Sequence, residues 1–117
     1  MFIKLSHQSL EVYKTTRELV KEVYRISLLL PKEENFNMIQ QIRRAALSVK
    51  LNLSEGSSRK SELERKRFFE IARGSVVELD AALETAVDLN YVNQEELEPV
   101  GVLMNKCFAM LSKMIDK

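Results

Sequence analysis

Apolar side chains recur along this chain at the three- and four-residue steps of a helix, in four separate stretches. The first spans residues 9–30, where Val12, Leu19, Val20, Val23, Ile26 and Leu30 share one face of a helical wheel, with Tyr13 and Tyr24 at its edge. Charged residues fill the opposite face. Neighbours such as Lys14–Glu18, Glu18–Lys21 and Glu22–Arg25 carry opposite signs at helical spacing. Pro31 disfavours helical geometry at Leu30 and closes the element. A second helix is predicted from residue 35 or 36 to residue 55, with Met38, Ile39, Ile42, Ala45, Ala46, Val49 and Leu53 as its apolar stripe. Gly56 is its expected stop, because glycine enters the left-handed conformation without penalty.

The third helix is predicted over residues 62–90. Ser61 with Glu64 forms a capping-box pattern at its start. Phe68, Ile71, Ala72, Leu79, Ala82, Leu83, Ala86 and Leu89 are its expected core side. Asn93 with Glu96 is a second cap signal, complicated by Pro99, which fits best at a first helical position. Either a short turn precedes the fourth helix or its first turns are kinked. That helix runs to residue 115 through Val100, Leu103, Met104, Cys107, Phe108, Leu111 and Met114. Strand alternation appears nowhere over a useful length. Short links between four amphipathic helices predict an all-α fold, an antiparallel up-down-up-down four-helix bundle, with residues 1–117 as a single domain.

More apolar surface is present than one bundle needs. Phe69, Val76 and Val87 flank the expected core stripe of the third helix and widen its apolar arc to roughly 160°, against the ~100° that a bundle face requires. Leu47 and Leu51 lie away from the main stripe of the second helix. One reading is a subunit interface built from Leu47, Leu51, Phe69, Val76 and Val87; the other is the scattered exposure normal on a monomer. A polar line, Gln41, Arg44, Ser48, Asn52 and Glu55, follows the second helix, and Ser75 falls inside the apolar arc of the third beside Gly74. A buried serine needs a partner. Asn52 or Glu55 could supply it where the helices pack, with Gly74 admitting close backbone approach. Asn52, Glu55 and Ser75 are therefore expected to form a structural polar network, the alternative being a ligand or nucleic-acid contact.

Charge divides the molecule. Nine basic and five acidic residues fall between Gln41 and Glu78, a balance of +4 in a chain whose formal net charge is only +1. Seven carboxylates and no Lys or Arg occupy Gly74 to Glu98. One end of the bundle can attract polyanions while another repels them. The candidate nucleic-acid contacts are Arg43, Arg44, Arg59, Lys60, Arg65, Lys66 and Arg67, gathered around the turn between the second and third helices. Ser57, Ser58, Ser61 and the free amides of a helix N-terminus add donors there. With no recognition-helix signature and no interleaved exposed aromatics, binding should be directed to the phosphate backbone and sensitive to salt. The competing reading is a solvated charged face partly neutralised by Glu62, Glu64 and Glu70.

Catalytic and metal chemistry find little material. His7 is the only histidine and Cys107 the only cysteine, so neither a zinc site nor a nucleophile–histidine pair can be assembled. The three glycines are isolated, and no Gly-rich phosphate loop exists. No cofactor is expected. His7 is expected at the surface, Cys107 as a buried inert thiol. A lone cysteine excludes an intrachain disulfide and makes a cytoplasmic location the default. No secretory signal or membrane-length apolar run is visible.

The segments QIRRAALSVKLNLSEGSSR and FFEIARGSVVELDAALETAVDLNYV, with the LPKEENF link before them, resemble the bacterial four-helix-bundle proteins encoded in intervening sequences of 23S ribosomal RNA genes. The accessory protein of diversity-generating retroelements is a more distant relative. Arg43-Arg44-Ala45-Ala46, Asn52, Glu55-Gly56, Arg59, Gly74-Ser75 and Glu78-Leu79 carry the resemblance. It implies a bundle that assembles into a ring-like homopentamer and carries no known catalysis. The retroelement relative is a basic pentamer that binds nucleic acid and a reverse transcriptase. No defined binding residue comes with the resemblance, and the matching positions are read as structural. The resulting expectation is a non-enzymatic oligomeric bundle that binds RNA or DNA through its basic corner. The alternative is a protein-interaction scaffold or adaptor that docks a partner on its apolar flank or its acidic region.

Overall fold

A computed structural model describes residues 1–116; Lys117, the last residue of the expected domain, lies outside the described residues. Its elements are α1 (Glu11–Ser27), α2 (Met38–Ser58), α3 (Glu62–Asp88) and α4 (Glu98–Ile115), with 3-10 turns at Ser6–Ser9 and Lys32–Glu34. Each helix packs on the next, and α4 returns to α1. Side-chain pairs fix the directions. Ser48 meets Ser75, Arg43 meets Ser27, and Arg73 meets Ser112, so successive helices run antiparallel. The result is the expected up-down-up-down four-helix bundle, measuring 44 × 30 × 22 Å.

Local chemistry explains where the helices end. Helix α1 stops at Ser27, three residues before the expected boundary. Leu28, Leu29 and Leu30 donate to carbonyls three residues back, a tightened last turn before Pro31. Helix α2 starts at Met38 rather than at residue 35 or 36, because Lys32–Glu34 forms its own turn and the Glu34 carboxylate accepts from the Met38 amide at 3.3 Å. At the start of α3, Ser61 Oγ accepts from the Glu64 amide at 3.3 Å. Asn90 ends that helix in the left-handed region at φ 62°, and the Tyr91 amide reaches the Ala86 carbonyl in the pattern of a Schellman cap. Asn93 and Glu96 cap each other reciprocally, at 2.9 and 2.8 Å, around a short turn that delivers Pro99 into the first turn of α4.

The core runs the length of the bundle through Leu19, Val23, Ile42, Val49, Leu79, Val100 and Leu111, all fully buried. Helix α3 meets it with a face turned by roughly 45° from the expected one, at 100° per residue. Phe69 and Val76 are 3% and 4% exposed and belong to the protomer's own core, not to a subunit flank. Val87 is half-buried and packs against the same core. Ile71 and Leu89, expected inside, are exposed. Leu47 and Leu51 do face outward, and Leu51 lines a cavity of about 730 Å³ beneath the N-terminal segment.

The glycines exchange expected roles. Gly56 is helical and does not stop α2, which continues to Ser58. A Cβ at Gly56 would fall 2.8 Å from Phe68 Cβ and 2.9 Å from the Phe69 ring. Gly56, not Gly74, is therefore the point of close helix approach. Gly74 sits on the outer side of α3 with no heavy atom within 4 Å of its missing Cβ. Urea denaturation should show Gly56→Ala destabilising the fold by about 1–2 kcal/mol, overpacking outweighing the gain in helix propensity. Gly74→Ala should stabilise it by about 0.5–1 kcal/mol.

Candidate nucleic-acid interface

The Arg/Lys corner expected from the sequence is divided between structural and free cations. Arg65 is half-buried in the first turn of α3, and its Nη1 donates back to the carbonyls of Ser57 at 3.0 Å and Arg59 at 3.1 Å. It thus satisfies carbonyls that the C-terminus of α2 leaves without helical partners. Its guanidinium also lies over Phe69, 5.8 Å from the ring centre. Arg59 pairs with Glu55 one turn back at 3.1 Å and stacks over Phe68 at 5.1 Å. Such partly exposed cation–π contacts are worth about 0.5–1 kcal/mol. Arg59 Nε and Ser57 Oγ are shielded within this turn and have no protein partner.

Arg43 faces α1. Its Nε donates to Ser27 Oγ at 2.9 Å, and its guanidinium lies 4.8 Å from the Tyr24 ring centre. Arg44 is exposed beside a groove of about 260 Å³ lined by Gln41, Ser48, Ser75 and Glu78. Along α2 it stands about 22 Å from Arg59, at 1.5 Å per residue. The corner proper therefore does not include Arg43 or Arg44. What it presents to solvent is Lys60 and Arg67, both exposed, and half-buried Lys66. None of these three forms an ion pair among the described residues. Glu62 and Glu64 of the first turn of α3 are exposed alongside them.

The polar network exists with a different membership. Ser48 Oγ, not Asn52 or Glu55, is the partner of buried Ser75, at 2.8 Å. Asn52 joins through Ser48, donating to its carbonyl at 2.9 Å and its hydroxyl at 3.0 Å. Glu55 is committed to Arg59 instead. Further along the same seam Gln41 donates to Glu78. These bonds fix the α2–α3 register. Ser48 belonged to the polar line in the sequence, but only the pairing of the helices singles it out.

Three further groups depart from their ordinary behaviour. His7 is buried, at 7% exposure, and not at the surface; its ring meets Tyr13 edge-on with centroids 5.1 Å apart. Burial holds its pKa below 6.5. At the other end of the bundle the Tyr91 hydroxyl donates to Glu34 at 2.9 Å, which joins the two inter-helix links at that end and lowers the Glu34 pKa. Cys107 is fully buried, and burial pushes its thiol up to about 12. Among the described residues no group of three or more His, Cys, Asp or Glu side chains is placed to hold a metal ion, and no helix is long and apolar enough to cross a membrane.

The geometry defines a four-helix bundle whose α2–α3 turn is fastened by arginines and exposes lysine and arginine beside a helix N-terminus. A family model described as "23S rRNA-intervening sequence protein" matches residues 8–113, and the chain belongs to that family. The crystal structure of a protein of unknown function from the S23 ribosomal protein family of Bacteroides thetaiotaomicron superposes with a TM-score of 0.83. It is 20% identical in sequence, and the match covers 91% of this chain and 99% of that one. At that identity the likeness shows the shared fold. Comparison with curated proteins gives no match.

Two measurements check the buried groups. An NMR titration of the single histidine should place its midpoint below 6.5. Because the folded pKa is lowered, the stability His7 contributes is complete above 6.5 and declines as pH falls through the folded value. A midpoint at or above 6.5 would show that the Ser6–Ser9 turn is undocked. Cys107 in the native protein should react with a thiol reagent no faster than the protein opens; rapid labelling at neutral pH would contradict the buried thiol.

Proposed function

We propose that this protein is a non-enzymatic, oligomeric helical bundle that binds the phosphate backbone of RNA or DNA at the α2–α3 turn. The observation that carries the reading is the division of labour among the cations. Arg59 and Arg65 are held by Glu55, by two backbone carbonyls and by aromatic rings. Lys60, Lys66 and Arg67 are left without an anionic partner on a shape fixed by those bonds. Ser61 and the first amides of α3 lie in the same turn, where a helix dipole favours negative charge. Glu62 and Glu64 temper the local potential, so one protomer binds weakly and non-specifically.

Oligomerisation supplies the rest. A ring of copies, the pentamer that the family resemblance implies, would present several such corners to one nucleic acid and raise affinity by avidity. Leu47 and Leu51 on α2 and Ile71 and Val77 on α3 are part of the exposed apolar surface that such an interface would draw on. The intervening-sequence name describes the family and leaves the nucleic acid itself open, so the proposal is for phosphate contact and not for ribosomal RNA in particular.

Affinity for a generic structured RNA should fall steeply with salt. Three phosphate contacts correspond to about a 40-fold loss for a fourfold rise in salt concentration. The triple variant Lys60→Glu, Lys66→Glu, Arg67→Glu should weaken binding by at least about tenfold and flatten that slope while keeping native helicity. Absence of binding at low salt, or an unchanged slope in the variant, would refute the proposal.

A further inference from the structure

An open groove of about 940 Å³ runs between the second half of α3 and the first half of α4. Its floor is apolar: Leu83 and Met104 are buried, Val87 and Leu97 half-buried, and Val102 exposed. Gly101 also lines the groove, and a Cβ there would meet open space rather than a neighbouring helix. Asp80, Glu84 and Asp88 of α3, Glu95 in the link and Glu98 at the start of α4 line it. All five carboxylates are exposed, and none is in an ion pair among the described residues. No Lys or Arg lines it.

Like charges gathered this closely repel one another, and a cation brought among them relieves that repulsion. The apolar floor adds a second requirement, because its side chains gain only if a partner covers them with apolar groups of its own. A helix with Lys and Arg on its flanks and an apolar stripe between them meets both requirements at once, in the helix-in-groove mode of recognition. Asp80 to Asp88 covers about 12 Å of α3, enough to seat about two turns of such a helix. Nucleic acid is excluded by sign. The cationic start of α3 in a second copy is a poorer fit, because Glu62, Glu64 and Glu70 interrupt it and Leu63 is its one exposed large apolar residue before Ile71.

We propose that the α3–α4 groove is a docking site for a basic amphipathic helix of a partner protein, with the partner's apolar stripe over Val87, Leu97 and Val102 and its cations against the acidic rim. The proposal is independent of the phosphate-binding corner.

The test is fluorescence anisotropy with the full chain and a labelled synthetic helix of leucines at i, i+3, i+4 spacing flanked by lysines. A scrambled peptide of the same composition lacks the stripe and serves as control. The designed helix should bind at least about tenfold more tightly than the scrambled one. The exposed rim pair Glu84→Lys with Glu98→Lys should weaken it by about tenfold or more. The milder Glu84→Gln with Glu98→Gln should weaken it less but in the same direction, and Val102→Ser should cost severalfold. Equal binding of the scrambled peptide, or affinity unchanged by both rim pairs, would overturn the proposal. So would self-association of the unmodified protein that the rim pairs abolish, which would make a second copy the occupant.

Discussion

The close approach of α2 to α3 at Gly56 is the constraint on which the rest of the structure depends. With no side chain at that position, the first turns of α3 press against the end of α2, and Phe69 enters the core beneath it. That contact sets the rotation of α3 about its own axis. Ser75 is then aimed at Ser48, Glu78 at Gln41, and Arg73 across to Ser112 on α4. It also brings the chain round tightly enough for Arg65 to reach back to two carbonyls at the end of α2. A larger residue at 56 would disturb the core, the polar seam and the cationic corner together, because one contact positions all three.

The same geometry explains why arginine and lysine part company. Arg43, Arg59, Arg65 and Arg73 each lie over an aromatic ring and donate at least one hydrogen bond, a combination that the planar guanidinium permits and an ammonium does not match. Lys60 and Lys66 carry no such bonds in the structure, and Arg67 joins them on the outer surface. A chain with little net charge thus keeps part of its positive charge inside its own architecture. The cations left at the α2–α3 turn and the carboxylates of the α3–α4 groove stand toward opposite ends of α3. Two surfaces of opposite charge thus fit on one small bundle without neutralising each other.

Much of this fold was legible in the sequence, and the limits have physical causes. Helix number, order and most caps were readable because capping and periodicity are local: Ser61, the Asn93–Glu96 pair and Pro99 act within a few residues. The face of α3 was not readable. Its apolar arc is so wide that Phe68 and Phe69, 100° apart on the wheel, compete for the same inward position, and a glycine on a neighbouring helix decides between them. The glycine roles failed for the same reason, since Gly56 and Gly74 differ only in what stands opposite. Of the seven candidate contacts, Arg59 stands at i,i+4 spacing from Glu55, but the sequence also offers Glu55 to Ser75 until the helices are in register. The bonds of Arg43 to Ser27 and of Arg65 to the turn carbonyls require the helices in register. The family resemblance pointed to the right architecture but could not assign these side chains.

The central claim is that polyanion engages one corner of this bundle and nowhere else. Hydrogen exchange of backbone amides, compared with and without saturating structured RNA at low salt, tests it most directly. The account predicts slowed exchange from Ser57 to about Arg67, with the stretch from Asp80 to Glu98 unchanged. Protection centred on Asp80 to Glu98, or on the Arg44 groove with the turn unaffected, would contradict it.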